Sequence, residues 1–589
     1  MVQDPSHEYK TRLAARRQTI EGYRKLDRLV AGLRLAAGVL FFLLLWLGSG
    51  WLLLLPVATF IVLVAYHENI LARARRTLRS VVFYERGLAR IEDRWIGTGD
   101  SRTSFLTESH PYAADLDIFG KGSLFELLNT TRTRSGEESL VRWLLQPASR
   151  EEILKRQEAI HELRNHVDLR EDLAVLGEDV RAAVHPDLIC GWAALPPMLD
   201  SQWAQAIAPV LSALTVFSCI RYEFFNGNGW LALAAIALQS AFALFYRKRV
   251  RAVMAAVEQP GKDLEILSLV LARLERERFD SSKLRQLHAE LATDSKRASR
   301  QIASLERFTE LLTYRLNAVF ALISSPFFWA THFSFAIERW RRRSGPSIER
   351  WLTAIGELEA LCAIAGYAYE HPDDPFPEIL DAGPHFQAQD VRHPLLPASR
   401  CIPNSLSLDS RLQMLVISGS NMSGKSTLLR TVGINTVLAL AGAPVRAKRI
   451  QLSILRIGAT VRVIDSLQAG TSRFYAEIQR LRDIMELANG PVSLLFLLDE
   501  ILHGTNSHDR AIGAEAVLRG LIARGAIGLV TTHDLALAKV ADALAPRAAN
   551  SHFEDHLENG KMMFDYRLRP GVVQKSNALE LMRAVGLEV

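Results

Sequence analysis

Apolar positions change their spacing several times along the chain, and each change predicts a different kind of element. Between Leu35 and Tyr66 almost every residue is apolar, with a break at Gly48-Ser49-Gly50. One helix over that stretch would be about 48 Å long against a hydrocarbon core of about 30 Å, so two short helices joined by a tight turn are expected. Basic residues flank the run, with Arg12, Arg16, Arg17, Arg24, Lys25 and Arg28 before it and Arg73, Arg75, Arg76 and Arg79 after it. By the positive-inside rule both ends lie on the cytoplasmic side. A second apolar pair, Ala204–Ile220 and Trp230–Tyr246, is joined by RYEFFNGNG and followed by Arg247-Lys248-Arg249. It predicts another hairpin of the same orientation. A weaker run, Leu316–Ile337, contains Asn317, Ser324, Ser325, Pro326 and His332. It is read as a buried helix beside the Arg339–Arg343 cluster.

Between and after the hairpins the period is helical. Glu151–Val167 and Asp172–Arg181 place apolar residues on one face, and 255–315 reads as long, charged helices with solvated polar faces. From about residue 380 short apolar runs bounded by Gly, Pro, Asn and Asp alternate with helical stretches. That is the pattern of an α/β domain with a mainly parallel sheet.

Composition narrows this picture only a little. With 589 residues, three or four domains are expected. A net charge of +6 and a pI near 9.1 permit nucleic acid or an anionic membrane surface as partner without selecting either. The four cysteines, Cys190, Cys219, Cys362 and Cys401, are scattered without a C-x-x-C pair. This argues against a disulfide framework or a zinc site. The polar first 30 residues do not read as a cleavable leader.

The chemistry concentrates in the α/β half. Leu415-Val416-Ile417 runs into Gly419-Ser420-Asn421-Met422-Ser423-Gly424-Lys425-Ser426 and then Thr427, the G-x-x-x-x-G-K-S pattern of a phosphate-binding loop. Its backbone N–H groups and the following helix N-terminus aim at one centre. Lys425 can reach the terminal phosphates, and the Ser426 hydroxyl can ligate Mg²⁺. Leu494–Leu498 reads as a fully buried parallel strand ending in Asp499-Glu500, about 74 residues after Lys425. Asp499 is a candidate Mg²⁺ ligand and Glu500 a candidate to orient or deprotonate water. A further strand, Leu529–Thr532, ends at His533, placed to sense a γ-phosphate.

Together, GSNMSGKSTLLR, GTSRFYAEI (Gly470–Ile478), LLDEILHGTNSHD (Leu497–Asp509) and TTHD resemble the ATPase domain of the MutS family of DNA mismatch repair proteins. The resemblance extends upstream to Arg392-His393-Pro394-Leu395 with Pro403-Asn404 and to Glu357–Leu361. It also takes in Asp117-Ile118-Phe119, Gly122-Ser123-Leu124, Thr131-Arg132-Thr133, Gly136 and Trp143–Pro147, which resemble the start of the MutS core. It implies an α/β, ABC-type P-loop ATPase domain at the C-terminal end, preceded by an all-α core or lever region that here carries transmembrane hairpins. The expected divisions are a basic lead-in (1–30), a hairpin (31–68), a first core part (80–200), a second hairpin (204–246), lever and core helices (250–380), the ATPase domain (381–570) and a shortened helix-turn-helix dimer segment (571–589). Since 113–185 and 340–400 look like one core domain, an even number of spans should separate them.

By the resemblance, ATP and Mg²⁺ are the cofactors, and Lys425, Ser426, Asp499, Glu500 and His533 serve the site in cis. Ser472 would reach across a homodimer, Asn421 would hold the loop in shape, Gly504–Ser507 would face the partner copy, and Ile402 would pack on adenine. Double-stranded DNA is the implied macromolecular partner. Phe83-Tyr84-Glu85 spells the Phe-x-Glu with which MutS reads mismatches, but directly after a membrane helix it reads as coincidence. A multi-pass plasma-membrane ATPase with cytoplasmic soluble domains is therefore expected. Two other classes remain open: a tethered switch for a protein partner, and an ATP-driven transporter.

Overall fold

The computed structural model describes residues 4–105, 110–225, 227–293, 296–313, 327–420, 422–461, 473–502, 507–533, 535–558 and 561–572. The chain divides into two compact units. The first takes residues 1–130, 140–167 and 361–589, and the second takes 131–139 and 168–360.

The first unit opens with α1 (Pro5–Trp46) and α2 (Leu54–Ile91). Asp4 caps α1 by accepting from the Ser6 N–H, with Pro5 in the first turn, where its missing donor costs nothing. The helix ends at Leu47, and Gly48 takes φ +69°, a conformation that suits glycine. The turn therefore falls at Gly48-Ser49-Gly50. The divisions drawn at residues 30 and 68 are not element boundaries, however: each apolar segment is the distal end of a helix that continues back into the first unit. The hydrophobic pattern changes there, but nothing in the backbone chemistry stops either helix.

The rest of the first unit begins with α3 (Leu124–Leu128), the second half of α4 (Arg134–Leu145) and α5 (Arg150–Leu163). In the second unit come α6 (Val167–Ala183), α7 (Pro186–Ala194), α8 (Gln202–Phe225) and α9 (Gly229–Leu274). They are followed by α10 (Ser282–Glu290), the small ladder β1 (Ala292–Thr293) and β2 (Lys296–Arg297), α11 (Ala298–Thr313) and α12 (Trp329–Glu370) as far as Ala360. Helix α9 runs straight through the division expected at 246–250, so the return arm of the second hairpin and the first lever helix are one element. Residues 316–326 of the weaker apolar run lie outside the described residues. Within the Arg339–Arg343 cluster, Arg339, Arg342 and Arg343 are exposed, whereas Arg341 is buried on α12 and donates to Glu338 and to the carbonyls of Trp192 and Pro196.

Charged faces in the second unit are likewise more than solvated surface. Lys283 of α10 pairs with Glu357 of α12 at 2.7 Å. Buried Glu359 accepts from the N–H groups of Arg132 and Thr133 and from the Thr133 hydroxyl. Gly136 makes room for it, since a Cβ there would stand 2.2 Å from its carboxylate. The segments 131–136 and 357–360, distant in sequence and separated by the second hairpin, thus meet within one unit.

The α/β part of the first unit holds two sheets. Elements β3 (Glu378–Leu380), β4 (His385–Val391), β5 (Asn404–Asp409), β6 (Met414–Ser418), α13 (Lys425–Ala441), β7 (Arg449–Ser453) and β8 (Arg456–Thr460) come first. They are followed by α14 (Arg473–Leu487), β9 (Leu494–Asp499), α15 (Ser507–Ala523), β10 (Ile527–Thr532), α16 (Leu535–Ala543), β11 (Ala548–Glu558) and β12 (Lys561–Pro570). The main sheet has the order β12-β11-β6-β10-β9-β8, parallel throughout except for the edge pair β11/β12. A second, mixed sheet has the order β3-β7-β4-β5. Because β3 already pairs with β7, this part begins before residue 381.

The central strands are apolar on both faces because helices cover both sides. Met414, Val416, Phe496, Leu498 and Val530 pack with Leu481 and Ile484 of α14, Leu518 and Leu521 of α15, and Leu537 and Val540 of α16. Gly528 is required for close strand pairing: a Cβ there would lie 2.1 Å from the Phe496 carbonyl.

Candidate nucleotide site

Parallel strands end together at one sheet edge, so loops far apart in sequence converge there. Strand β6 ends at Ser418, and the loop turns through Gly419 (φ +153°), Met422 (φ +71°) and Gly424 (φ +103°) before α13 starts at Lys425. Two of these three are glycine, as such backbone angles favour. Met422 points outward and is 85% exposed.

Strand β9 delivers Asp499 and Glu500 beside this loop, and β10 delivers Thr531 and His533. The Lys425 ammonium is buried and donates to the carbonyls of Gly419 (2.7 Å) and Ser420 (3.0 Å). It lies 3.6 Å from a Glu500 carboxylate oxygen, and His533 Nδ1 lies 3.4 Å from that same oxygen. Burial pulls the Lys425 pKa down, while the charges of Glu500 and Asp499 oppose the shift. Thr531 donates its hydroxyl to Asp499 and accepts from the Glu500 N–H at 3.2 Å. Glu500 holds φ +46° and Leu502 φ +60°. Such angles are uncommon for residues with side chains and occur where surroundings over-determine the backbone. Here the Leu502 N–H is fixed by the buried Glu477 carboxylate.

The loop has unused hydrogen-bonding capacity. The hydroxyls of Ser420 and Ser423 are buried with no partner among the described residues. Unsatisfied buried polar groups are costly and rare. With the N-terminus of α13 they form a cradle that fits a phosphate chain. No cluster of three or more metal-ligating side chains occurs among the described residues. Mg²⁺ keeps water and phosphate ligands and takes only one or two from protein. Ser426 and Asp499 would hold it, and the ion would screen phosphate charge.

Beside the loop lies a cavity of about 400 Å³, lined by Arg400, Ile402, Thr427, Phe553 and Tyr566 among others. Ile402 is 38% exposed on its wall. Tyr566 on β12 escapes a motif search because it lies in an edge strand remote from the loop. It stands over the loop because Asn404 pins β12: the Asn404 amide donates to the Tyr566 carbonyl (3.0 Å) and accepts from the Leu568 N–H (2.7 Å). A Cβ on Gly424 would come within 3.1 Å of the Tyr566 ring. Such a pocket suits a flat apolar ring.

Residues 415–588 match the family model for MutS domain V, and residues 108–221 match that for MutS domain III. These matches support the MutS family. Relatives agree. The DNA mismatch repair protein MutS of Desulfosudis oleivorans is 34% identical over 239 residues, 39% of this chain and 27% of that protein. Its counterpart from Natronomonas pharaonis is 34% identical over 244 residues, 41% of this chain and 28% of that protein. The endonuclease MutS2 of Thermus thermophilus is 33% identical over 213 residues, 35% of this chain and 27% of that protein. The chain thus spans little more than a quarter of the length of these MutS proteins. MutS domain V is the ATPase domain, in keeping with the loop and strand ends described above.

Of the sequence-based site residues, Lys425, Asp499, Glu500 and His533 come together, with Gly419, Ser420, Ser423, Gly424, Ser426 and Thr427 around them. Asn421, Ser472 and Gly504–Asn506 lie outside the described residues. Two arginines missed by motif reading tie the MutS-like core entry to the site. Arg430 on α13 donates to the Asp115 carbonyl (3.1 Å) and approaches Asp117 (3.5 Å). Arg480 on α14 pairs with Asp115 at 2.9 Å. Phe83, by contrast, is an interior residue, 7% exposed and packed on Tyr9 and Tyr84.

Proposed function

We propose that this chain is a membrane-anchored MutS-family ATPase that hydrolyses ATP with Mg²⁺, pairs with a second copy and binds duplex DNA. The observation that carries the ATPase reading is the convergence of Lys425, Asp499, Glu500 and His533 beside a loop whose buried Ser420 and Ser423 hydroxyls have no partner among the described residues. Lys425 would leave the Gly419 and Ser420 carbonyls for the terminal phosphates. Glu500 would hold and deprotonate the attacking water, with His533 steadying the carboxylate. Catalysis of this kind rests on positioned charge. Arg430 and Arg480 would carry changes at α13 and α14 to the core entry at 115–117. Ser472 would complete the partner copy's site.

Among the described residues, four helices, in α1, α2, α8 and α9, are long and apolar enough to cross a membrane by length and composition. With basic flanks they support a multi-pass plasma-membrane protein with its ATPase on the cytoplasmic side. DNA contact is proposed through phosphates and not through a mismatch-reading Phe, because Phe83 is buried. The test is equilibrium binding of detergent-solubilised protein to a perfect and a G·T duplex, with and without ATP, at two salt concentrations. Equal affinity that weakens steeply with salt is expected. A preference for the G·T duplex would overturn the phosphate-only contact. Absence of binding at low salt would shift the reading to a tethered switch for a protein partner.

A further inference from the structure

The two hairpins differ in how deep they can reach. On the first, the uncharged part of α1 runs from Leu35 to Trp46 and that of α2 from Leu54 to Tyr66. At 1.5 Å per residue each arm is roughly 18–20 Å long. A hydrocarbon core is about 30 Å thick. A polar floor closes the short arms. Arg34 lies 3.3 Å from His67 Nδ1, and His67 Nε2 lies 3.0 Å from Asp27. The His67 ring thus bridges the two helices. The Arg34 guanidinium also stands 5.3 Å above the Phe60 ring.

Below that floor Arg24, Lys25, Arg28, Arg73, Arg75 and Arg76 are exposed. They fall within roughly 15 Å of Arg34 and His67 along the helices. The tip, Trp46-Leu-Gly-Ser-Gly-Trp51, carries no charge, and both indoles are exposed. On the second hairpin, Ala204–Ile220 and Trp230–Tyr246 give arms of roughly 26 Å. Its tip carries Arg221, Glu223, Asn226 and Asn228, side chains suited to water or headgroups.

We infer that the α1–α2 hairpin is a wedge whose uncharged tip stops inside the bilayer, with its basic collar on the phosphate headgroups of the leaflet it entered, whereas the α8–α9 hairpin crosses. Full crossing by the first hairpin would draw Arg34 and His67 roughly 10 Å into hydrocarbon. A charged side chain there loses its water and is costly to bury. The collar is placed to bind phosphate only while the floor stays at the surface. The wedge is rigidly mounted on the first unit: Arg90 near the end of α2 makes a two-point pair with Glu370, which also accepts from the Tyr9 hydroxyl of α1.

This inference rests on the membrane reading above, and its test separates the two. Ser49→Cys and Asn228→Cys are introduced singly into the full chain. Right-side-out and inverted membrane vesicles are treated with a membrane-impermeant maleimide, and labelling above the wild-type level is measured. The expected result is Asn228→Cys labelled only from the face opposite the ATPase, and Ser49→Cys labelled from neither face until detergent is added. Labelling of Ser49→Cys from the opposite face at the Asn228→Cys rate would show a crossing hairpin and overturn the wedge. Labelling of Ser49→Cys from the ATPase face would place the tip outside the bilayer, with the same consequence. Asn228→Cys silent from the opposite face would remove the contrast between the hairpins. Release of the whole protein from vesicles by alkaline carbonate would overturn the membrane reading itself.

Discussion

Two of the places where the first unit buries charge differ in how completely that charge is satisfied. At the base of the first hairpin Arg90, Glu370 and Tyr9 close on one another, and Gly87 leaves room, since a Cβ there would stand 2.4 Å from the Tyr9 ring. At the phosphate loop Lys425 rests on two backbone carbonyls, Glu500 faces both Lys425 and His533, and the hydroxyls of Ser420 and Ser423 have no partner among the described residues. The first arrangement is satisfied and acts as a joint. The second has bonding capacity left over, which is what a ligand site needs before its ligand arrives. Burial of charge alone does not separate joint from site; the unsatisfied remainder does.

Substitutions at the two places should therefore separate activity from stability. The largest effect is expected at the site. Lys425→Ala and Glu500→Gln should each lower ATP turnover on the order of 10³-fold in a phosphate-release assay. Glu500→Gln should still bind nucleotide, whereas Lys425→Ala should not. Retained turnover in Lys425→Ala would mean that this lysine is structural like Arg90.

The joint should show the reverse. Arg90→Ala leaves the Glu370 carboxylate buried and unpaired, which typically costs about 3–5 kcal/mol. Denaturant unfolding of the solubilised protein should report that loss, with ATP affinity unchanged. A matching loss of ATP affinity would mean the joint and the site are coupled.

His393 gives a smaller, pH-dependent effect near the site. Burial, reinforced by the Arg430 charge, pushes its pKa down from the usual 6.5 to about 4. Its Nδ1 accepts from the Leu395 N–H at 3.2 Å, which fixes the neutral ring. Below pH 6.5 the unfolded chain binds a proton that the folded chain refuses, so stability falls as pH drops towards 4. The slope approaches about 1.4 kcal/mol per pH unit. His393→Asn, whose side-chain oxygen can replace Nδ1, should flatten that part of the stability profile. An unchanged profile would assign the acid lability elsewhere.

The smallest effect is expected in the cavity. Tyr566→Ala should weaken ATP binding about tenfold, equivalent to about 1.4 kcal/mol, and Tyr566→Phe should not. Equal weakening by both would move the Tyr566 contribution from its ring to its hydroxyl.

Features encoded by neighbours along the chain were legible in the residues alone. The phosphate loop, the buried strands ending at Asp499 and Thr532, and both apolar hairpins with their Gly-containing turns could be read because loop geometry, strand period and hydropathy are local properties. The ends of the helices were not legible, since α1, α2 and α9 run on past their changes of hydrophobic pattern while nothing in the backbone breaks them. Nor did any local pattern indicate Tyr566, Arg430, Arg480, or the pairing of Glu359 with Thr133 and of Arg90 with Glu370. These contacts join residues far apart along the chain, and no spacing rule encodes them. Phe83 shows the converse, three letters that spell a DNA-reading motif and a side chain that the fold places in the interior. Packing alone selects which of many arginines, tyrosines and carboxylates are brought together, because burial forces each polar group to find a partner wherever the fold supplies one.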